Sequence, residues 1–415
     1  MSDEGSLAGM AIGPVGKLTR VVPYDLIFIR SEIESDLLER LTLTSMQNAT
    51  TAMALAASHF HGRGDRHAAD FAAVQAGREV LNKELLVPAQ VVIGEGERDE
   101  APMLYIGEIL GPLNVVARLN AADEATQERE IVLDIAADPL EGTNLCADGK
   151  PGAIAILGAA IRGEGRLLRG PDGYMRKLVF GSDLREAIPW GIEQGLLRTS
   201  SNFGLIDHEP EQIVHFISQV RQKPTDEVKC MVLDRAYNAH LISRLRALNV
   251  QLDLITDGDI TAGFLALEPE YDIDCAIGIG AAPEGVLTAI LTQVYGGYME
   301  ARFWTKGEED IALEPAQKQE RLREQIRQQR ERVVAMGQSF EKLLHTGDLA
   351  YGNVMFSLTM VTYNQFRPGV KWLDGGTAKT WTISGRSRTG SVNVRETLHR
   401  NPPARPQVPR NGNNH

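Results

Sequence analysis

Two carboxylates and a hydroxyl group follow one another closely at the end of an apolar run. The chain reads IVLDIAADPLEGT over 131–143, so Asp138, Glu141 and Thr143 come directly after a predicted buried strand. Alternation along that strand places Asp134 and Asp138 on one side, with Asp138 at the carboxyl end, where α/β sheets bind ligands. Glu141 can return to the same point across a turn that the proline begins. The segment therefore predicts a small cluster of oxygen ligands.

A second acidic motif also follows a predicted strand. The segment VVIGEGERDEAPM, residues 91–103, places Glu95 and Glu97 among glycines, which let the backbone approach a ligand closely. Carboxylates gathered in one cleft repel one another unless divalent cations neutralise them, and hard oxygen ligands favour Mg²⁺ or Mn²⁺ over zinc. Neither motif contains histidine. Together they predict a Mg²⁺ or Mn²⁺ site.

Two further segments suit a phosphate ester of a sugar. The sequence ITDGDIT places Asp257 and Asp259 around Gly258 after a predicted strand, an arrangement that can bind sugar hydroxyl groups. The sequence IGIGAAPEG is interpreted as a flexible loop that ends in Glu284 at a helix start, where backbone N–H groups favour an anion. The two segments predict an oxygen-rich pocket for a sugar phosphate.

Each acidic residue also has a structural interpretation. An isolated acid after a strand is usually a solvated turn residue or a helix cap, and this applies to Glu97 and Asp134 taken singly. Asp65 is predicted to cap a helix over 66–82 that carries Asp70 near its start. Four separate acidic motifs at strand ends rarely arise from turn chemistry alone, so their conjunction favours a functional site.

The composition limits the class of protein. The chain has 415 residues, 43% hydrophobic and 24% charged, which is typical of a soluble protein of two or three domains. A net charge of −12 without a basic tract opposes nucleic acid binding. No apolar run reaches the roughly 18 residues needed to span a membrane. Three widely separated cysteines form no C-x-x-C pair, so we expect a cytoplasmic protein.

Short apolar runs alternate with helical patterns, which predicts an α/β protein with two subdomains. Predicted strands lie at 91–93, 131–137, 153–160, 230–234, 252–256 and 275–280, and predicted helices at 35–60, 66–82, 239–248 and 283–295. We divide the chain into an N-terminal appendage (1–35), a metal-binding subdomain (36–225), a sugar-phosphate-binding subdomain (226–400) and a disordered tail (401–415).

The ordered motifs resemble those of one enzyme family. GRGDRHAAD, VVIGEGERDEAPMLYIGE, DIAADPLEGTNLCA, GPDGYMRKL, ITDGD, GIGAAPEG and SGRSRT are similar to the class II fructose-1,6-bisphosphatases, including the cyanobacterial type that also cleaves sedoheptulose 1,7-bisphosphate. DPLEGT alone is shared with the wider lithium-sensitive phosphatase superfamily, whereas VVIGEGERDEAPM and GIGAAPEG are more specific. The resemblance covers roughly 40–400. It implies a layered α-β-α-β-α sugar phosphatase fold that assembles as a homodimer or homotetramer.

The resemblance also implies roles for individual residues. The implied metal ligands are Asp70, Glu95, Asp138, Glu141 and Glu284. The implied substrate contacts are Glu141, Gly142, Thr143, Tyr174, Arg235, Tyr237, Asp257, Gly258 and Asp259. Thr143 resembles the hydroxyl that helps to position or activate the attacking water. Because Thr143 is too weak an acid to serve alone, we expect a neighbouring carboxylate such as Asp65 or Glu97 to accept the proton. The implied reaction is hydrolysis of the 1-phosphate of a sugar bisphosphate by metal-activated water.

The chain departs from the family pattern at two places. Where the family usually reads R-P-R-H, this chain has Arg235, Ala236, Tyr237 and Asn238, so a tyrosine without charge replaces the second arginine. We expect a weaker grip on the phosphate remote from the chemistry. The helix before GRGD, usually similar to R-V-T-E-A-A, here reads NATTAM over 48–53, and Arg66 stands where lysine is usual.

Two alternative functions remain open from the sequence. The substrate could be another phosphomonoester such as an inositol phosphate, which the replacement at Tyr237 keeps under consideration. The chain could also be a sugar phosphate sensor without turnover. The complete acidic set argues against the sensor, because a sensor does not need Thr143 beside two metal-binding carboxylates.

Overall fold

A computed structural model describes the backbone of residues 24–94, 104–312 and 315–404, and the side chains of these ranges except 24–33 and 309–310. Glu95 and Glu97 lie outside the described residues, as does the predicted tail from residue 405 onward. Leu41–His415 forms one compact unit, distinct from the unit Met1–Arg40. Within the described ranges, no helix is long and apolar enough to cross a lipid bilayer.

The helices and strands are numbered in chain order. The helices are α1 (Tyr24–Ser58), α2 (Arg66–Glu84), α3 (Leu113–Asn120), α4 (Glu124–Glu130), α5 (Thr143–Ala147), α6 (Ser182–Glu193), α7 (Pro210–Arg221), α8 (Ala239–Ala247), α9 (Asp259–Leu267), α10 (Ala282–Tyr295), α11 (Glu308–Ala312), α12 (Ala316–Ala335) and α13 (Thr346–Leu349). The strands are β1 (Ala89–Gly94), β2 (Ile109–Leu110), β3 (Leu133–Glu141), β4 (Ile154–Leu167), β5 (Tyr174–Phe180), β6 (Lys229–Leu233), β7 (Gln251–Ile255), β8 (Cys275–Ala281), β9 (Tyr298–Trp304), β10 (Leu344–His345), β11 (Ala350–Met360), β12 (Lys371–Leu373), β13 (Thr377–Arg386) and β14 (Ser391–His399).

The strands form two mixed sheets. The first has eight strands in the order β12-β13-β11-β4-β3-β1-β2, with β14 paired to β13. The second has six strands in the order β10-β9-β5-β8-β6-β7. Strand β1 is parallel to β3, and β6 is parallel to both β7 and β8, whereas the other pairs are antiparallel. Each sheet takes strands from both sides of residue 225, so the two predicted subdomains do not correspond to one sheet each.

The two sheets enclose a central helical layer. Helix α10 packs against β11 and β3 of the first sheet and against β9 and β5 of the second, with α9 beside it. Twelve of its residues are buried, as a helix between two sheets requires, because neither side of it faces water. Helices α6, α7 and α8 contribute Leu184, Phe216 and Leu245 to the core on the outer face of the second sheet. Helix α2 packs on the outside of the first sheet against β3. The predicted α-β-α-β-α order is therefore confirmed.

The helix that departs from the family pattern packs on a buried layer of hydroxyl groups. Thr50 Oγ1 lies 2.9 Å from Ser357 Oγ of β11 and accepts a hydrogen bond of 2.9 Å from Thr359 Oγ1. Thr51 Oγ1 lies 3.3 Å from Thr382 Oγ1 of β13. Hydroxyl groups can donate and accept at once, so the layer satisfies its own polar atoms in the core. At these positions the small polar residues of 48–53 serve packing.

The structure differs from the sequence-based expectation at two motifs. Strand β3 does not end before Pro139 but continues through it to Glu141, because the proline lies at a β-bulge, where the missing N–H group is tolerated. Strand β8 confirms the strand predicted over 275–280, whereas the interpretation of 277–285 as a flexible loop is wrong, since β5 pairs with β8 along its whole length and α10 begins at Ala282. Pairing with a neighbouring strand outweighs the turn propensity of its glycines.

Candidate active site

The bulge in β3 places two carboxylates on the same face of the first sheet. Asp138 pairs with Ile156 of β4 and Glu141 pairs with Ile154, so three steps along β3 oppose two steps along β4. Residues two apart on a strand share a face, and cross-strand partners do too, so Asp138 and Glu141 point the same way. Both are buried, at 4% and 2% exposure. Asp138 and Glu141 therefore share one face of the sheet through a bulge and not through a turn.

A left-handed glycine turns the chain from β3 into the short helix α5. Gly142 has φ 77° and ψ 42°, a conformation that side chains other than hydrogen disfavour. Thr143 is the first residue of the helix, and its Oγ1 donates a 2.8 Å hydrogen bond to the carbonyl oxygen of Leu140. With its proton committed to that carbonyl, the hydroxyl oxygen can accept a hydrogen bond from a water molecule.

The sugar-binding turn meets the carboxylates of β3. The backbone N–H of Ile260, at the start of α9, donates a 3.0 Å hydrogen bond to Glu141 Oε1. Asn144 Nδ2 of α5 donates to Asp257 Oδ2 over 3.2 Å, and Arg235 Nη2 lies 3.6 Å from Asp257 Oδ1. Two segments more than a hundred residues apart in sequence therefore form one site. Arg235 follows β6 and Asp257 follows β7, and these parallel neighbours bring the two residues together at their carboxyl ends.

A buried lysine links this turn to Glu284. Lys177 of β5 is 5% exposed, forms an ion pair with Asp259, and its Nζ lies 3.7 Å from Glu284 Oε2. Burial favours the neutral amine, but the charges of Asp259 and Glu284 outweigh burial, so the pKa of Lys177 is raised above its usual value. The lysine stays an ammonium ion. Lys177 thus holds together two carboxylates from α9 and α10.

Gly280 of β8 leaves the space in which this ion pair forms. A Cβ atom at Gly280 would overlap the Asp259 carboxylate and would lie 2.8 Å from Lys177 Nζ. Gly280→Ala is therefore expected to lower the free energy of unfolding by about 1–3 kcal/mol through overpacking. Gly347→Ala is the matched control, because the nearest atom to its added methyl group lies 3.9 Å away. Urea denaturation measures both, and an equal effect of the two substitutions would contradict the interpretation.

Glu284 caps the helix that follows β8. It is the third residue of α10, and its Oε2 accepts a 3.0 Å hydrogen bond from the backbone N–H of Ala281. The side chain is buried, with 8% exposure for the residue. The carboxylate therefore occupies the helix start where the sequence suggested an anion, and its Oε2 also lies 3.7 Å from Lys177 Nζ.

Asp65 and Asp70 belong to α2 and its N-cap, and α2 packs against α5. Asp65 Oδ1 accepts a 2.9 Å hydrogen bond from the backbone N–H of Ala68, which confirms the predicted cap of α2. The loop before it is bound to α5, because Gly62 N–H donates to the carbonyl oxygen of Cys146 over 2.9 Å. Asp70 lies half-buried in α2, a helix that packs against both α5 and β3.

Asp134 is a structural residue. Its Oδ1 accepts a 2.7 Å hydrogen bond from Arg162 Nε, and Arg169 Nη2 lies 3.5 Å from the same oxygen. Asp134 shares the strand with Asp138, but its ion pairs explain its burial without a ligand. The structural interpretation of this acid is therefore the correct one.

Tyr237 belongs to an aromatic cluster and does not point into solvent. Its ring centroid lies 5.5 Å from that of Tyr174 and 5.8 Å from that of Trp304, and Tyr174 and Trp304 meet edge to face at 6.2 Å. Burial raises the pKa of Tyr237 well above its usual value, and the nearby Tyr174 and Glu284 add to the effect. The residue that replaces the usual arginine is therefore a neutral phenol fixed by packing.

The donor set suits a hard divalent cation in its chemistry. Asp138, Glu141 and Glu284 offer buried carboxylate oxygens, the ligand type that Mg²⁺ and Mn²⁺ prefer. The structure does not bring three such side chains together around one point among the residues it describes, which exclude Glu95. The residues present fit the ion in their chemistry. Of the five implied ligands, Glu95 lies outside the described residues, and Asp70 is half-buried in α2.

Sequence reasoning missed Lys177 as a site residue. The lysine lies in GPDGYMRKL, three residues after Tyr174, and alternation along β5 puts the two side chains on opposite faces. Lys177 follows Arg176 in a strand whose remaining residues are apolar or aromatic, and a lysine is rarely buried, so its place beside Leu178 and Val179 was the available signal.

Comparison with known proteins identifies the family. The family model described as bacterial fructose-1,6-bisphosphatase, glpX-encoded, matches residues 40–399. The chain belongs to this family. A D-fructose 1,6-bisphosphatase class 2/sedoheptulose 1,7-bisphosphatase from Synechococcus sp. (strain JA-3-3Ab) is 34% identical over 348 residues, covering 83% of this chain and 92% of that protein.

Relatives outside the cyanobacteria are similar to the same extent. The fructose-1,6-bisphosphatase 1 class 2 of Escherichia coli K12 is 34% identical over 342 residues, covering 82% of this chain and 90% of the relative. The fructose-1,6-bisphosphatase class 2 of Haemophilus influenzae is 32% identical over 365 residues, covering 87% and 97%. Membership of the glpX family therefore rests on nearly the whole folded chain, including both sheets.

Proposed function

We propose that this protein hydrolyses the 1-phosphate of fructose 1,6-bisphosphate, of sedoheptulose 1,7-bisphosphate, or of both, to the sugar monophosphate and inorganic phosphate. The observation that carries the proposal is the hydrogen bond from Ile260 N–H to Glu141, which joins the carboxylates of β3 to the sugar-binding turn. Family membership and the relatives' activities support the same substrates.

We propose that Asp70, Glu95, Asp138, Glu141 and Glu284 hold Mg²⁺ or Mn²⁺. Such ions supply Lewis-acid activation of water and stabilise charge on the phosphate and the leaving oxygen.

The chain's own residues would position the water and the sugar. Thr143 Oγ1 accepts a hydrogen bond from the attacking water, because its proton is donated to Leu140. Asp257 and Asp259 accept hydrogen bonds from sugar hydroxyl groups. Asp65 uses only one carboxylate oxygen for the helix cap, so Asp65 and Glu97 are both proposed as the proton acceptor.

Phosphate release tests the proposal directly. Purified protein with Mg²⁺ or Mn²⁺ is offered the two sugar bisphosphates and inositol 1-phosphate, with Glu141→Gln as the control that preserves shape and removes the charge. We expect turnover of at least one bisphosphate and its loss in the control. Faster turnover of inositol 1-phosphate would instead indicate that the substrate is another phosphomonoester. If none of the three compounds is hydrolysed, the proposal that the protein is an enzyme is contradicted.

A second prediction concerns the residue that replaces the family arginine. Tyr237→Arg adds a positive charge beside the proposed substrate pocket, and a charged hydrogen bond to phosphate contributes about 1.5–3 kcal/mol. We expect KM for the bisphosphate to fall about tenfold or more while kcat changes little. Steady-state kinetics on both proteins measures this. A KM that is unchanged or higher would argue against the lost-arginine interpretation.

We further propose that the enzyme is a homodimer or homotetramer that acts in the cytoplasm, with no nucleic acid or membrane partner. The three cysteines are free thiols and buried, which suits a reducing compartment. Light scattering coupled to size exclusion measures the assembly, and a monomer at micromolar concentration would contradict the first part of this proposal.

A further inference from the structure

A cavity of about 460 Å³ opens beside the proposed substrate contacts, between β9 and helix α12. Its lining includes Tyr174, Tyr237, Trp304, Thr305, Lys306 and Arg332, and we call it the distal cavity. The volume lies within the range of ligand-binding pockets, about 300–1,000 Å³. No residue of α12 was assigned a role by the motifs.

One wall of the distal cavity suits the carbon skeleton of a sugar. Tyr174, Tyr237 and Trp304 hold one another in contact, so their rings form a fixed apolar surface with hydroxyl groups at its edge. The raised pKa of Tyr237 keeps its phenol protonated, and the hydroxyl can therefore donate a hydrogen bond to an anion.

The facing wall suits an anion. Lys306 and Arg332 are its cations among the described residues, and Asp172 is its acid, so the balance of charge is positive. Thr305 is 8% exposed, and within the described part of the chain its Oγ1 has no hydrogen-bond partner. A buried hydroxyl without a partner costs free energy unless a ligand or water completes it.

The second arginine of the family motif, which we expect to bind the remote phosphate, is absent from this chain. The first arginine of the motif lies near another carboxylate. Tyr237 occupies the position of the second arginine, and Arg235 lies 3.6 Å from Asp257 at the sugar turn. When a sugar bisphosphate binds, the phosphate that is not hydrolysed must nevertheless have a binding site of its own, and we look for it beyond Tyr174. The distal cavity is a neighbouring space that carries two cations. A second cavity beside Tyr237 carries Arg176 and Arg244, but these form ion pairs with Asp207 and with Glu209 and Glu211.

We propose that the distal cavity binds the phosphate remote from the reaction, with Lys306, Arg332 and Thr305 as its donors. This inference rests on the proposed function and deepens it, since it moves the grip on the remote phosphate from the lost arginine to α12 and the end of β9. These residues then determine the preference for a bisphosphate over a monophosphate ester.

The test uses binding without turnover. Fructose 6-phosphate carries only the remote phosphate, and calorimetry compares its affinity for wild type with that for Lys306→Gln, Arg332→Gln, the double substitution and Thr305→Val. We expect the double substitution to weaken binding about tenfold or more and Thr305→Val to weaken it severalfold. Arg321→Gln is the matched control, because Arg321 is exposed on the same helix and does not line the cavity.

The outcomes separate this inference from the proposed function. Wild-type affinity in the double variant, equal binding of fructose without phosphate, or an equal loss in Arg321→Gln would each overturn the inference. If the protein hydrolyses no bisphosphate but its binding of fructose 6-phosphate still depends on Lys306 and Arg332, the proposed function fails and the anion site remains. Because Arg332 is exposed, its single variant decides the matter if Lys306→Gln does not fold.

Discussion

Asp138→Asn is expected to reduce the turnover of the preferred bisphosphate by about 1000-fold while preserving the fold. A factor of this size corresponds to about 4 kcal/mol of lost stabilisation of the transition state, which is reasonable for a proposed metal ligand. Asparagine has nearly the same shape, and its side-chain oxygen can still accept the 3.1 Å hydrogen bond from Leu140 N–H. The change therefore removes charge with little change in packing.

A second readout separates loss of charge from loss of structure. In the metal-free protein, removal of one buried negative charge near Glu141 should leave the midpoint of thermal unfolding unchanged or raise it, because like charges repel. Addition of Mn²⁺ should then raise the midpoint less than in wild type, since the ion loses a ligand. Calorimetric titration with Mn²⁺ measures the same loss directly.

Asp134→Asn is the matched control for Asp138→Asn. Both acids are buried on β3, but Asp134 forms its ion pair with Arg162 and not with the proposed site. Breaking a buried pair by removal of one partner costs about 3–5 kcal/mol of stability. We therefore expect the control to unfold at lower temperature. We also expect it to keep its turnover within about threefold of wild type, because Asp134 is paired with Arg162 and changes at separate sites have nearly independent effects. The reverse pattern would indicate that Asp134, and not Asp138, is the metal ligand.

The parts of the fold that the sequence predicted are those where local and tertiary preferences agree. Helix α2 has its apolar face in helical spacing and its cap at Asp65, so each signal indicates the same boundary. The six predicted strands at 91–280 all exist. Their apolar residues are mostly buried in a sheet, except in the edge strand β7, where they are half-buried. In these elements the periodicity alone is sufficient.

The parts that were not predicted depend on partners far away in the chain. Pro139 indicates a strand end locally, yet pairing with β4 carries β3 past it as a bulge. The interpretation of 277–285 as a flexible loop missed the pairing of β8 with β5, and Gly280 admits the pair between Asp259 and Lys177, which approach from α9 and β5. The spacing of residues in one sequence does not show that three distant elements contact one another.

The candidate site shows the same division. The acids of β3 and of the ITDGD turn were recognised because their motifs are compact, and the hydrogen bond from Ile260 to Glu141 confirms that they converge. Lys177 was missed because its partners, Asp259 and Glu284, lie far from it in the sequence and belong to other elements, α9 and α10. Its role comes from position and not from a motif.

Lys177→Met is expected to destabilise the metal-free protein by about 3–5 kcal/mol, because Asp259 and Glu284 lose the buried ammonium that they share. Methionine fills a similar volume, so the effect comes from charge and not from a cavity. Turnover should fall about 100-fold, with a rise in KM, since the sugar-binding turn loses its tie to α10. Urea denaturation and steady-state kinetics measure the two effects.

A divalent cation should partly rescue this variant. The carboxylates around Lys177 repel one another more strongly without the ammonium, and Mn²⁺ supplies positive charge near them, so the gain in unfolding free energy on addition of Mn²⁺ should exceed that of wild type. Lys229→Met is the matched control, because Lys229 Nζ lies 2.8 Å from Asp272 in an exposed pair. Such pairs contribute about 0–1 kcal/mol. If both lysines gave equal losses, or if Mn²⁺ stabilised Lys177→Met no more than wild type, the lysine would be a packing residue, and the coupling of the sugar turn to Glu284 would have to come from the backbone of β8.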